Sequence, residues 1–140
     1  MSKERITSSR TESERFEQKR RYPRIILDDN AILLLPGNQP VNVQVFDLSI
    51  CAIQLRFNAQ TEQTISTALQ YVDDDALASL DVRFRIKLHG KEEVVRVPCK
   101  PIYICQLARD VFSMGMQFSD MESRYKKLIS KFVEASLEPK

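Results

Sequence analysis

The stretch VNVQVFDLSICAIQLRF, residues 41–57, decides the fold. Val41, Val43 and Val45 alternate with Asn42 and Gln44, the period-two pattern of a strand with one buried face. At Phe46 the phase slips by one residue. Phe46, Leu48 and Ile50 become the apolar set, alternating with Asp47 and Ser49. Successive strand side chains point to opposite faces, so a one-residue slip marks a bulge or a corner. Ile53, Leu55 and Phe57 then turn inward again, with Gln54 and Arg56 outward.

The same alternation extends both ways along the chain. Upstream, Pro36-Gly37-Asn38 is a turn. Before it, Ile25-Ile26-Leu27 and Ala31 to Leu35 read as one strand with an irregularity at Asp28-Asp29-Asn30, or as two short strands. Downstream, residues 59–80 break the pattern and predict a long connection with helical turns, in which AQTEQTISTALQ, residues 59–70, is compatible with a short helix. Strands resume with Val82, Phe84, Ile86 and Leu88 against Arg83, Arg85 and Lys87, followed by a hairpin turn at His89-Gly90-Lys91. Residues 94–103 pair back, with Pro98 and Pro101 suited to an edge or a bulge. Residues 111–118 form the last strand. The period then becomes helical: Met121, Tyr125, Leu128, Ile129, Phe132 and Val133 share one face, and Ser119 and Glu122 have capping-box spacing. The expected plan is a run of antiparallel strands closed by a helix. Val43, Ile53, Leu55, Phe84, Ile86 and Phe118 point inward, and Tyr125, Leu128, Ile129 and Phe132 cover them.

The 140 residues suggest one domain, and 43% hydrophobic residues suffice for a core. With 21 Lys and Arg against 19 Asp and Glu, the balance argues against wholesale binding of duplex DNA. Residues 1–15 are polar and aperiodic, which predicts a flexible tail. They show no signal-peptide pattern, no apolar run is long enough to span a membrane, and the expected location is the cytosol. Cys51, Cys99 and Cys105 form no CxxC and sit in apolar surroundings, so buried reduced thiols are expected. His89 is the single histidine and lies in a turn. No GxSxG, P-loop or GxGxxG is present, and three glycines are too few for a phosphate cradle. The run Asp73-Asp74-Asp75 reads as a solvated loop. An enzyme is the least favoured class.

Two constellations carry chemistry. In KRRYPRI, residues 19–25, four cations fall within six residues around Pro23. The proline removes an amide N–H and biases Tyr22 toward extended geometry. In an extended chain Arg20 and Arg24 point to the same side, on the order of 13 Å apart. Their planar guanidinium forks suit phosphate and the O6/N7 edge of guanine. The second constellation is DLSICA. A carboxylate such as Asp47 can accept from the N1–H and N2–H₂ of a guanine, and a hydroxyl such as Ser49 can serve a phosphate or a base. The plainer reading is a strand-end turn, in which Asp47 and Ser49 bond nearby amides.

Together, Arg20-Arg21-Tyr22-Pro23-Arg24 and Asp47-Leu48-Ser49-Ile50-Cys51-Ala52 resemble the RxxxR and DxSxxG motifs of the PilZ domain family, bacterial receptors for cyclic di-GMP. Gly115-Met116-Gln117-Phe118 before a terminal helix extends the resemblance, which covers residues 16–137. It implies a six-stranded antiparallel β-barrel of split-barrel type with a C-terminal α-helix. It also implies a non-catalytic receptor that changes conformation on binding cyclic di-GMP and signals through a downstream protein, with a homodimer allowed and no cofactor. Arg20 and Arg24 would hold phosphates and guanine edges, Arg21 would assist at a phosphate or stack on a base, Asp47 would accept from a guanine, and Ser49 would donate nearby. Ala52 departs from the motif glycine. If that position needs positive φ, alanine strains it; if glycine serves only close approach of the ligand, a methyl is tolerated. A PilZ-type adaptor that has lost nucleotide binding is the alternative, and a single-stranded nucleic-acid binder, hinted at by Arg83-Phe84-Arg85, is the third reading.

Overall fold

A computed structural model of the chain describes residues 22–70 and 79–137. Arg20, Arg21, the expected tail and Asp73-Asp74-Asp75 lie outside the described residues. The described chain forms strands β1 (Ile25–Leu35), β2 (Gln39–Leu48), β3 (Ala52–Phe57), β4 (Leu80–Leu88), β5 (Lys91–Ala108) and β6 (Val111–Phe118). Helix α1 (Ala59–Gln70) joins β3 toward β4, and α2 (Ser123–Leu137) follows β6. Every strand pairing is antiparallel, and the sheet closes as a barrel in the order β1-β2-β3-β6-β5-β4.

The alternation of the sequence becomes the two faces of this ring. Leu33, Val45, Leu55, Val82, Val95, Val97 and Met114 are fully enclosed. Each large aliphatic side chain buried this way contributes about 1.5–3 kcal/mol. The expected inward residues Val43, Ile53, Leu55, Phe84 and Ile86 are all buried, while Phe118 packs half-buried against the core. Helix α2 lies against β4, β1 and β5 and buries Ile129, Phe132 and Val133, with Tyr125 and Leu128 at the margin. No described helix is long and apolar enough to cross a membrane.

The phase slip is a bulge on both sides of β2. Val45 pairs Leu55 and Asp47 pairs Gln54, which leaves Phe46 extra against β3. On the other side Ile26 pairs Asp47 and Asp29 pairs Val45, so Leu27 and Asp28 together face Phe46. Asp28 takes φ 48° there, so β1 is one strand with a kink at the expected irregularity. Parity is thereby reversed. Leu48 turns into the core at 0% exposure, and Asp47 turns out.

The turns follow their residues. Gly37 and Asn38 have φ 82° and 61°, and His89 and Gly90 have φ 53° and 78°, the left-handed pair of a two-residue hairpin between Leu88 and Lys91. Strand β5 pairs β4 up to Cys99 and β6 from Cys99 onward. Pro98 sits at this change of partner and Pro101 at a register shift, which is where a missing N–H is tolerated.

Residues 59–70, where the sequence allowed a short helix within the connection, are a full helix, capped by the Asn58 side chain, which accepts from the Thr61 amide at 2.9 Å. Three expectations are corrected. Helix α2 starts at Ser123, because the Glu122 carbonyl accepts the amides of Tyr125 and Lys126. Ser119 instead donates its amide to the Pro98 carbonyl at 2.8 Å and caps nothing. Ile50 is exposed at the tip of the β2–β3 hairpin, and of the three free cysteines Cys99 alone is buried, Cys105 being exposed.

Candidate functional site

The bulge at Phe46 and the strand registers build the site. Asp47 pairs Gln54, Gln54 pairs Gly115 and Gly115 pairs Tyr103, so these four residues form one row across β2, β3, β6 and β5. Directly opposed residues in a sheet share a face, and here it is the outer face. Arg24, one residue before β1, folds over the Asp47 end of the row. Its Nη1 donates to Asp47 Oδ1 at 3.4 Å. Arg24 and Asp47, 23 residues apart in sequence and one from each of the two constellations, therefore meet in space.

Burial at Asp47 is the largest influence on its carboxyl and holds its pKa above the usual carboxylate range. The Arg24 guanidinium, by charge and hydrogen bond, and the Arg56 guanidinium, by charge, oppose that rise without cancelling it. The Arg56 guanidinium carbon lies over the Phe46 ring, 3.3 Å from its centroid, so the bulged residue also seats a cation.

Ser49 does what the plainer sequence reading describes. Its hydroxyl accepts the amides of Cys51 at 3.3 Å and Ala52 at 3.2 Å, and its own amide donates to the Ala52 carbonyl at 2.9 Å. At 1% exposure it holds the hairpin closed beneath the site. Ala52 opens β3 opposite Gln117 and is not among the described residues with positive φ, so no strain attaches to the missing glycine. Of the residues singled out from the sequence, Arg24 and Ala52 line one cleft, Asp47 lies beside it in contact with Arg24, and Ser49 is buried beneath.

Gln54, Tyr103 and Gly115 of the cleft are among those not anticipated as site residues. Gln54 donates from Nε2 to the Tyr103 hydroxyl at 3.3 Å. Tyr103 lies over Gly115 so closely that a β-carbon added there would stand 2.3 Å from the ring's Cε2. The cleft, lined by Arg24, Ala52, Gln54, Ile102, Tyr103 and Gly115 among others, encloses about 20 Å³, room for about one water. A glycine in the middle of a strand was the available signal, since it marks close approach by another group.

No protein-family model matches the sequence, and no curated protein matches it. Solved structures do match in fold. The Bacillus subtilis inhibitor of motility, MotI/DgrA, aligns over 81% of this chain at 9% identity with a TM-score of 0.61. PlzA of Borreliella burgdorferi, solved with c-di-GMP, aligns over 92% at 11% identity and TM-score 0.52. The MrkH–c-di-GMP complex of K. pneumonia aligns over 81% at 16% identity and TM-score 0.53. This chain spans about half the length of those chains, 49%, 57% and 50% respectively. With its closed ring of six antiparallel strands and its C-terminal helix, the chain has a PilZ-like fold.

Proposed function

We propose that the chain is a non-catalytic receptor for cyclic di-GMP, with residues 16–137 as the binding domain. The observation that carries this reading is the meeting of Arg24 and Asp47 beside a cleft on the outer face of a PilZ-like barrel. Arg24, with Arg20 and Arg21 from the same segment, supplies guanidinium forks to phosphates and to guanine edges. Asp47 accepts from the N1–H and N2–H₂ of a guanine, and Ala52 leaves room for the ligand to approach the backbone. Ser49 acts from below by fixing the hairpin that presents Asp47. Binding exchanges the Arg24–Asp47 contact for contacts with the dinucleotide, orders the arginine segment against the barrel and alters the surface offered to a downstream protein.

One observation favours the adaptor reading. Arg24 and Asp47 already satisfy each other, and the enclosed part of the cleft is small. Calorimetry with cyclic di-GMP, with GTP as control, separates the two. The receptor reading expects saturable heat for cyclic di-GMP alone. It also expects about a ten- to hundred-fold loss of affinity in Arg24→Ala, the equivalent of charge-assisted bonds worth about 1.5–3 kcal/mol. No heat with the wild-type chain selects the adaptor.

A further inference from the structure

Across the ring from the Asp47 row, a second groove opens on the outer face of β2, β1, β4 and β5. It has a volume of about 310 Å³ and is lined chiefly by Asn30, Ile32, Asn42, Arg83, Arg85 and Val94. The registers explain the gathering. Asn42 pairs Ile32, Ile32 pairs Arg83 and Arg83 pairs Arg96, giving one row across four strands; Arg85 pairs Val94 in the next. Because β4 alternates, Arg83, Arg85 and Lys87 all point outward and are exposed, while Phe84 between them is buried at 2%.

We infer that this groove docks an extended acidic segment of a partner protein, one with carboxylates at alternate positions. Charge is the first argument. Four cations on the β4–β5 outer face, Arg83, Arg85, Lys87 and Arg96, stand against two carboxylates, Asp81 and Glu92. Asp81 is taken by Arg96 at 2.6 Å. Glu92 reaches Arg85 at 3.8 Å with both side chains about half exposed, a contact that a better acceptor displaces. The Arg83 side chain has no ion pair or hydrogen bond among the described residues.

Spacing is the second argument. Alternate residues of a strand stand about 7 Å apart. An extended partner repeats at the same distance, so its alternate carboxylates meet Arg83, Arg85 and Lys87 in register. The floor suits such side chains. Ile32 is half-buried and Val94 is 55% exposed, apolar surface for the methylene stems of glutamates. Asn30 and Asn42 offer carboxamides, each both donor and acceptor, to the partner's backbone.

Topology sets the mode of docking. The groove's central row, Asn42, Ile32, Arg83 and Arg96, is paired from strand to strand, so a partner lying over it engages side chains on a face. Single-stranded nucleic acid shares the anionic repeat, but it also needs aromatic faces on which bases stack. The groove's one aromatic neighbour, Phe84, points into the core.

The test uses fluorescence anisotropy on the full chain with two fluorescein-labelled peptides of equal composition, Ser-Glu-Ser-Glu-Ser-Glu-Ser and Glu-Glu-Glu-Ser-Ser-Ser-Ser, and with labelled oligothymidylate. The alternating peptide should bind more tightly than the block peptide, and more weakly as salt rises. The double variant Arg83→Ala/Arg85→Ala should lose at least tenfold in affinity while unfolding at the wild-type temperature, because both side chains are exposed. Arg109→Ala, in the β5–β6 turn, removes a like charge elsewhere and should bind as wild type. Equal affinity for the two peptides, or retained binding in the double variant, overturns the proposal. So does tighter binding of oligothymidylate that is lost in the same variant.

Discussion

Asp47 sits beneath Arg24, and burial raises its pKa by more than the guanidiniums of Arg24 and Arg56 lower it. The sign of its contribution to stability follows. In the unfolded chain the carboxyl titrates near 3.8 and in the folded chain higher. Its contribution is therefore complete below the unfolded value and is lost as pH rises through the folded one. Asp47→Asn should raise the unfolding midpoint of the free protein at pH 7, with the gain vanishing below about pH 3.8, while weakening cyclic di-GMP binding. Arg24→Ala should lower the midpoint at pH 7 and should be close to neutral in an Asp47→Asn background. The coupling in such a cycle runs about 0.5–3 kcal/mol for contacting residues. The low end applies here, since the Arg24 side chain is 29% exposed and the contact is 3.4 Å. Additive effects would show that the pair is not energetically joined. Ala52 makes a contrasting prediction. Its backbone is not left-handed, so Ala52→Gly relieves nothing and should cost about 0.5–1 kcal/mol in strand stability. Cyclic di-GMP affinity should stay within about threefold of wild type; a gain of tenfold or more in calorimetry would mean that the methyl blocks the ligand. Arg24, Asp47 and Ala52 were legible in the sequence because each lies in a short local motif.

At the scale of elements, the packing of β5 on β6 was hidden from the sequence. Tyr103 and Gly115 meet because a register shift after Pro101 brings them opposite each other, and no local pattern encodes that pairing. The Tyr103 ring occupies the space a side chain at Gly115 would fill. Gly115→Ala should displace the ring, break the Gln54–Tyr103 hydrogen bond and cost about 1–3 kcal/mol, the usual range for overpacking. Tyr103→Ser should recover most of that loss in the double variant, measured by urea denaturation. If Gly115→Ala unfolds like the wild type, the ring is free to move and the close packing is not a constraint. The helices show the opposite balance. The apolar face of α2 was evident at its period of 3.6, but its start was misplaced because Ser119 is drawn back to Pro98 by a tertiary bond. Helix α1 was legible only as a short helix within a connection, because with Ile65 its only buried residue it lacks a clear apolar stripe.

At the scale of the molecule, the alternating strands gave the fold class, while closure of the ring depends on β1 meeting β4 through Ala31–Phe84 and Leu33–Val82, pairs about fifty residues apart in the chain. Such pairings emerge only once the core is assembled. Because each strand has partners on both sides, the core amides should exchange as one unit. Hydrogen exchange is expected to be slowest in β3, β6, β1 and β4, with one common opening free energy, and fastest in the β5–β6 turn and the last turn of α2. A strand among these four that exchanges well ahead of the rest would mean that the ring opens at that seam. The single extra residue at Phe46 has a consequence for the gene as well as for the sheet. Deleting that one codon would leave the reading frame of the faces intact: Val45 and Leu48 would still meet the core and Asp47 the outside, now in simple alternation from Val41 onward. What would be lost is the surplus length itself, which Leu27 and Asp28 face across β1, and the ring that seats Arg56. A deletion there should therefore straighten the two strands and loosen the Asp47 site while leaving the inward set of side chains as it is.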